Sequence, residues 1–407
     1  MSWERKVLGD ISTSIQTGPF GSQLHRSDYS DEGVPVVMPK DLIQGAVSEE
    51  SIARVSKEHV ERLSKHKIQD GDILYSRRGD VGKCAFTSER EIGWICGTGC
   101  LKVSVDKDKA DPQFIFYQLQ KAETIGWVIN HAVGSTMLNL NTSILSAMPV
   151  DVPEMEIQRK IVKILSSYDE LIANNQKQIK LLEEAAQRLY KEWFVDLRFP
   201  GYEDVEIVDG VPEGWKKDRA DSFFNITIGK TPPRAEKQWF VKGDAGVPWL
   251  SISDMGNARI YAFATREALT QEAIKKHNMK VAPSGTIFVS FKLTVGRVSI
   301  ATTDMCTNEA IAHFYIENDL QQAYIFCYLN NFKYDSLGNT SSISKAVNSK
   351  IIKAMPFVMP DKATILAFSK LVVPILNEIK NKQATCIKLA EARDRLLPKL
   401  MSGEIEV

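Results

Sequence analysis

Pro360-Asp361 followed by Glu378-Ile379-Lys380 satisfies the bare Pro-Asp…Glu-x-Lys pattern of metal-dependent nucleases, whose carboxylates must converge on one Mg²⁺. The residues between them carry helical periodicity, and a helix would hold Asp361 and Glu378 roughly 25 Å apart at about 1.5 Å per residue. The pattern is read as a chance match. Cys84, Cys96 and Cys100 supply three thiols where a structural zinc needs four ligands, and His131 would have to complete the set from far along the chain. Buried free cysteines are the expectation. Gly97-Thr98-Gly99 lacks the third glycine of a dinucleotide fingerprint. The chain also has no Gly-x4-Gly-Lys-Ser/Thr loop and no Asn-Pro-Pro-Phe-type tetrapeptide. Catalytic residues, a metal and a cofactor of its own, S-adenosylmethionine or ATP, are therefore not expected here.

A separate set of residues has the types and setting that could hold phosphates and read bases. Polar and basic residues in glycine-rich turns let backbone and side chain approach a DNA groove together. In the first half these are Lys40, Asp41, Arg77, Arg78 and Lys83; in the second, Lys230, Arg234, Ser253, Asp254, Lys292 and Arg297. Arg reads guanine with two hydrogen bonds in the major groove, whereas Lys more often holds a phosphate. Thr136 in Gly134-Ser135-Thr136, and Thr340 and Ser341 in Gly338-Asn339-Thr340-Ser341, precede helices and suit either phosphate contact or capping. Each residue alone also fits a solvated charge or a turn. The chain has 51 Lys+Arg and 51 Asp+Glu, yet residues 214–360 hold 18 basic against 12 acidic and residues 1–153 hold 17 against 20. Phosphate binding needs a local basic surface, so overall neutrality is no objection.

These turns belong to a chain that repeats itself. Gly33-Val34-Pro35 recurs as Gly246-Val247-Pro248, displaced by 213 residues. Gly71–Ser76 recurs as Gly285–Ser290 and Val81-Gly82-Lys83 as Val295-Gly296-Arg297, both displaced by 214, while Ala147-Met148-Pro149 returns as Ala354-Met355-Pro356, displaced by 207. This is one two-part unit used twice. The first part of each unit is α+β: β-branched runs such as 33–38 and 71–76, punctuated by Gly and Pro, are interrupted by helical stretches at 111–119 and 141–147. The boundaries are 1–153 and 214–360 for the mixed parts, 154–198 and 361–407 for the helical parts, and 199–213 for a linker. With 407 residues, 43% hydrophobic, the chain can bury real cores. No apolar run approaches the roughly 18–20 residues of a membrane span, and the N-terminus lacks an apolar signal core, so a soluble, cytoplasmic protein is expected.

From Glu154 the pattern turns helical. Ile157, Ile161, Ile164, Tyr168 and Leu171 alternate four and three apart, and the spacing resumes through Ile179, Leu182, Ala186, Leu189 and Trp193. Ile365, Phe368, Val372, Ile375 and Ile379 keep the same spacing, although Pro374 should kink or split the second helix. Two such stripes are best buried against each other. At the end of helix one, Tyr190, Trp193 and Phe194 offer more aromatic area than a two-helix seam requires and are read as a partner interface. A helix pair of about 36 residues spans roughly 54 Å and would act as a ruler between two readers.

Leu182–Phe194 followed by Arg198-Phe199-Pro200-Gly201-Tyr202 resembles the central region of the specificity (S) subunit of Type I restriction–modification systems. Arg393–Ile405 resembles that family's distal conserved end, and Thr17-Gly18-Pro19-Phe20-Gly21-Ser22 the opening loop of one class of its target recognition domains. Through that loop the resemblance adds Gly18, Phe20 and Ser22 to the DNA-binding candidates. It covers essentially the whole chain. It implies two target recognition domains separated by two long antiparallel helices forming a coiled coil, an internal pseudo-twofold repeat. Each domain would read half of a split, asymmetric double-stranded DNA site. It further implies two methyltransferase (M) subunits using S-adenosylmethionine, and restriction (R) subunits using ATP and Mg²⁺, as partners. The second domain carries Thr231-Pro232-Pro233-Arg234 where the first has Gly18-Pro19-Phe20-Gly21. A stand-alone metal-dependent nuclease and a coiled-coil scaffold that reads no DNA are the alternatives from other classes.

Overall fold

The computed structural model describes residues 3–134, 138–242, 245–337 and 347–407. It divides into two compact units, Met1–Glu170 with Leu389–Val407, and Leu171–Lys388.

In the first unit Glu4–Val7 pairs antiparallel with Pro149–Val152, tying together the two ends of the mixed part. Ser12–Thr17, Cys100–Val105, Ile73–Ser76 and Cys84–Phe86 follow one another across an antiparallel sheet. A second sheet runs Ile95–Cys96, Val34–Val37, Ala53–Val55, Tyr29–Ser30, and its one parallel pair joins Ile95–Cys96 to Val34–Val37. Ile73–Ser76 is buried along its whole length because both faces are covered. Ile73 and Tyr75 enter one apolar cluster and Leu74 another, as a period of two requires. The helix Pro112–Leu119 starts where proline's missing N–H costs nothing, and the Asp111 carboxylate accepts the Gln113 and Phe114 N–H groups. Phe114 through Leu119 are all buried, so this helix forms the centre of the core.

The second unit repeats this arrangement. Lys216–Arg219 pairs with Pro356–Met359. Ile226–Ile228, Ile311–Phe314, Ile287–Ser290 and Val298–Ala301 form the antiparallel sheet, and Tyr261–Ala262 adds to its edge in parallel. Cys306–Thr307, Val247–Leu250, Glu267–Leu269 and Phe240–Val241 form the second sheet, again with a single parallel pair. The repeated Gly-Val-Pro has a steric cause. A Cβ on Gly33 would lie 2.3 Å from the Val55 carbonyl oxygen, and one on Gly246 would lie 2.4 Å from that of Leu269.

The first long helix, Met155–Tyr190, ends in a π-helical turn, Lys191–Val195; the second spans Lys362–Met401. In the first unit Ile157, Ile161, Ile164 and Leu165 share an apolar cluster with Leu396, Leu397, Leu400 and Met401. Arg393 Nη1 lies 2.5 Å from Asp169, which also accepts the Tyr117 hydroxyl at 2.6 Å. In the second unit Ile179, Leu182, Ala186 and Leu189 cluster with Ile365, Phe368, Val372, Leu376 and Ile379. The helices run antiparallel there, since Cys386 meets Ile172 while Phe368 meets Tyr190.

Three expectations change. Pro374 does not split the second helix, which runs unbroken from Lys362 to Met401. One backbone bond is lost, but Phe368, Val372 and Leu376 are buried on either side and hold the segment in place. Leu171 does not enter a seam: it is half exposed, and Leu165 and Ile179 take the buried positions around it. Residues 199–213 carry structure of their own. Phe199 is buried 5.2 Å from Trp215, and Ile207–Val208 pairs with Val211–Pro212 around Asp209-Gly210, both left-handed at φ 51° and 77°.

Candidate nucleic-acid interface

In the first unit Gly18 and Arg77 meet at 97–100. Gly18 donates its N–H to Cys100 O at 2.9 Å, and Arg77 donates its own to Gly99 O at 2.8 Å. A Cβ on Gly18 would fall 1.9 Å from Gly97 O, so glycine is obligatory at that contact and Gly18 is buried. The loop it starts carries Phe20 and Ser22 outward, both exposed. The Arg77 guanidinium lies 5.8 Å from the Phe20 ring centre, and its Nε is buried without a hydrogen-bond partner among the described residues. Burial and the neighbouring Arg78 pull Arg77 below its ordinary value, though a guanidinium stays charged at neutral pH. Arg78 is exposed, bridges Asn139 in backbone pairing, and precedes Gly79 at φ 75°. Lys83 is exposed and 3.1 Å from Asp80. Lys40 is exposed too, with its ammonium on the Ser51 carbonyl and hydroxyl.

The second unit builds the same seat from other residues. Gly229 donates to Ile311 O at 3.0 Å and Phe291 to Ala310 O at 2.9 Å. Gly229 is thus the equivalent of Gly18, so the pairing of Thr231–Arg234 with Gly18–Gly21 is two residues out of step. Lys230 is exposed, its ammonium 2.6 Å from His277 O. Arg234 stacks 4.2 Å and 4.5 Å from the Phe240 and Trp249 ring centres and binds Glu267 at 2.8 Å. Glu309, which the sequence reading passed over, accepts the Thr231 hydroxyl, and that bond holds its carboxyl below the usual range. Lys292 is exposed above the Phe291 ring at 5.6 Å, and Ser253 is exposed. Leu293 follows Lys292 at φ 63°, a conformation that costs a non-glycine residue roughly 1–2 kcal/mol.

Several candidates are used up inside the fold. Asp41 is buried and accepts the Met38 N–H at 2.9 Å; burial pushes its carboxyl up. Asp254 likewise accepts the Ser251 N–H and hydroxyl at 3.1 and 2.6 Å, and Arg266 at 3.0 Å. These two aspartates occupy equivalent places, and their carboxylates are spent on capping short helical turns. Arg297 turns inward to Ile252 O at 2.7 Å. Tyr190 and Trp193 are buried and Phe194 half-buried, packed on Tyr324, Phe368 and Trp215 in the core of the second unit. Their aromatic area is spent on that core, so they are not a free partner surface. Thr136, Thr340 and Ser341 lie outside the described residues.

Cys84, Cys96 and Cys100 are free and buried, and burial raises the first two thiols to about 12. No group of three His, Cys, Asp or Glu able to hold a metal occurs among the described residues. Asp361 caps the second long helix through the Ala363 and Thr364 N–H groups and accepts from Trp215 Nε1 at 3.2 Å. Glu378 is paired with Lys382 one turn on. The nuclease-like pattern is a helix cap and a surface ion pair. No helix among the described residues is long and apolar enough to cross a membrane.

Residues 1–184 and 212–385 each match the family model of the Type I restriction modification DNA specificity domain. The chain belongs to the Type I restriction–modification specificity subunits. Such a subunit is a DNA sequence-recognition component and not one of the catalytic chains. The chain is 26% identical to the Type I restriction enzyme HindI specificity subunit of Haemophilus influenzae, across 99% of each. It is 25% identical to the putative MjaX specificity subunit of Methanocaldococcus jannaschii, across 100% of this chain and 94% of that one. The fold is similar to the crystal structure of the S subunit from M. genitalium, with a TM-score of 0.56 at 15% identity over 98% and 96% of the two chains. Both duplicated mixed parts of the specificity subunit therefore fall within matched domains.

Proposed function

We propose that each unit of this specificity subunit reads one half of a split, asymmetric site in double-stranded DNA. The carrying observation is one backbone seat built twice, Gly18–Cys100 with Arg77–Gly99 and Gly229–Ile311 with Phe291–Ala310, presenting different side chains each time. Phe20, Arg78, Lys40 and Lys83 are exposed in one, with Arg77 half-buried beside Phe20; Lys230, Arg234, Lys292 and Ser253 are exposed in the other. Arginine held against an aromatic ring is pre-oriented for a guanine edge, and the exposed lysines suit phosphates. In this reading two M subunits carry S-adenosylmethionine and methylate adenine, R subunits supply ATP- and Mg²⁺-dependent cleavage, and the complex works in the cytoplasm. Mapping methylated adenines in cells with and without this gene tests it. A bipartite motif with two different halves, present only with the gene, is expected; a contiguous or fully palindromic motif would refute it.

A further inference from the structure

The hairpins Ile73–Ser76/Cys84–Phe86 and Ile287–Ser290/Val298–Ala301 are joined by connections of equal length, 77–83 and 291–297. Each is anchored by its last strand residue, but at different points: the Ser76 hydroxyl donates to Arg78 O, two residues on, at 3.2 Å, and the Ser290 hydroxyl to Thr294 O, four residues on, at 2.6 Å, where the second connection also turns at Gly296, φ 89°. Each needs a left-handed residue at the same place, Gly79 at φ 75° in one unit and Leu293 at φ 63° in the other. Glycine meets that need without strain; leucine does not. Leu197 is also left-handed, at φ 56°, but it packs against the core of the second unit. Leu293 has no such compensation, being 90% exposed. A left-handed non-glycine backbone with no packing to offset its strain marks a side chain kept for something outside the fold.

The surroundings indicate what it meets. Lys292 precedes it with an exposed ammonium, and Val295 beside it is partly exposed. A two-stranded hairpin fits the width of the major groove, and the only apolar group on the base edges there is the thymine C5 methyl. We infer that Leu293 is a specificity-determining residue that reads a thymine through that methyl in the half-site of the second unit, while Lys292 holds a neighbouring phosphate. This rests on the DNA-reading function proposed above.

The test uses the full chain assembled with its modification subunits and duplexes carrying the mapped target. Thymines in both half-sites are replaced one at a time by deoxyuridine, which lacks only the methyl. One replacement, in one half-site, should weaken wild-type binding about three- to five-fold, the value of one buried methyl group. Leu293→Gly, which relieves the backbone and so keeps the loop, should bind thymine and deoxyuridine at that position equally. Preserved sequence preference with equal wild-type affinity for every deoxyuridine duplex would overturn the inference alone. So would a brightening of 2-aminopurine on binding that requires Leu293, since it would signal a wedge between stacked bases, and so would a pair of half-sites without thymine. Absence of any sequence preference would overturn the DNA-reading function, and this inference with it.

Discussion

Lys102 and His313 hold the same place in the two units. Lys102 stands opposite Leu74 and Gln16 in its sheet, and His313 opposite Phe288 and Thr227 in the other. Their chemistry differs. Lys102 is buried in an ion pair with Asp72 at 3.1 Å and donates to Lys67 O at 2.9 Å, while Asp72 accepts the Ser104 hydroxyl and the Gln69 N–H. His313 is fully buried between the hydroxyls of Thr227 and Thr307, at 3.1 and 2.6 Å, and burial pulls it down to about 4. Thr286, in the place of Asp72, donates to Pro283 O. The scaffold therefore demands a satisfied buried polar group here but no particular charge. Duplication preserved completeness of hydrogen bonding while the interior chemistry diverged, as the exposed loops did at the surface.

Breaking one side of this comparison should leave the other standing. Asp72→Ala strands the Lys102 charge and should cost the first unit about 3–5 kcal/mol. Hydrogen exchange should show protection lost across Ile73–Ser76 and Cys100–Val105, with Ile287–Ser290 unaffected; uniform loss would mean that the two cores are one. Trp193→Ala is the converse and should cost the second unit about 3–5 kcal/mol by opening its aromatic core. Normal protection around Phe368 in that variant would return Trp193 to the role of a partner contact.

Acid should distinguish the two cores next. His313 titrates near 4 when folded against an ordinary value of 6.5, so between these the unfolded state binds more protons. Its contribution is complete above about pH 6.5 and is lost as pH falls toward 4, at most about 3 kcal/mol. Urea unfolding of the second unit at pH 7 and pH 4.5 should show this loss, and His313→Gln should remove it; parallel profiles for the two proteins would contradict the neutral-histidine account. Among the surface residues, Arg77→Ala should weaken binding by about 1–3 kcal/mol and relax one base position. Lys292→Ala should weaken all sequences alike, with a shallower salt dependence.

The repeat made the layout readable because glycine–proline turns sit where backbones approach closely, as at Gly33 and Gly246. The same logic failed at Gly229, where Thr231-Pro232-Pro233-Arg234 imitates the Gly18 loop at a displacement of 213 while the hydrogen bonds require 211. The capping role of Asp41 and Asp254 was not read because residue type does not separate a cap from a contact, although Ser251-x-x-Asp254 already had the spacing of a capping box. Tyr190, Trp193 and Phe194 carried no sequence signal of what they pack against, since Tyr324 and Phe368 lie far along the chain. The Arg77–Phe20 pair was out of reach for the same reason. Leu293 was legible only beside Gly79, once the two connections were known to turn left-handed at the same place.

The central claim is that two equivalent loops read two different half-sites. Its most direct test replaces residues 77–83 with the sequence found at 291–297, in cells carrying the modification subunits, and maps methylated adenines. One half of the motif should change while the other half and the gap between them stay as in the wild type. An unchanged motif, or a change in both halves, would contradict the claim.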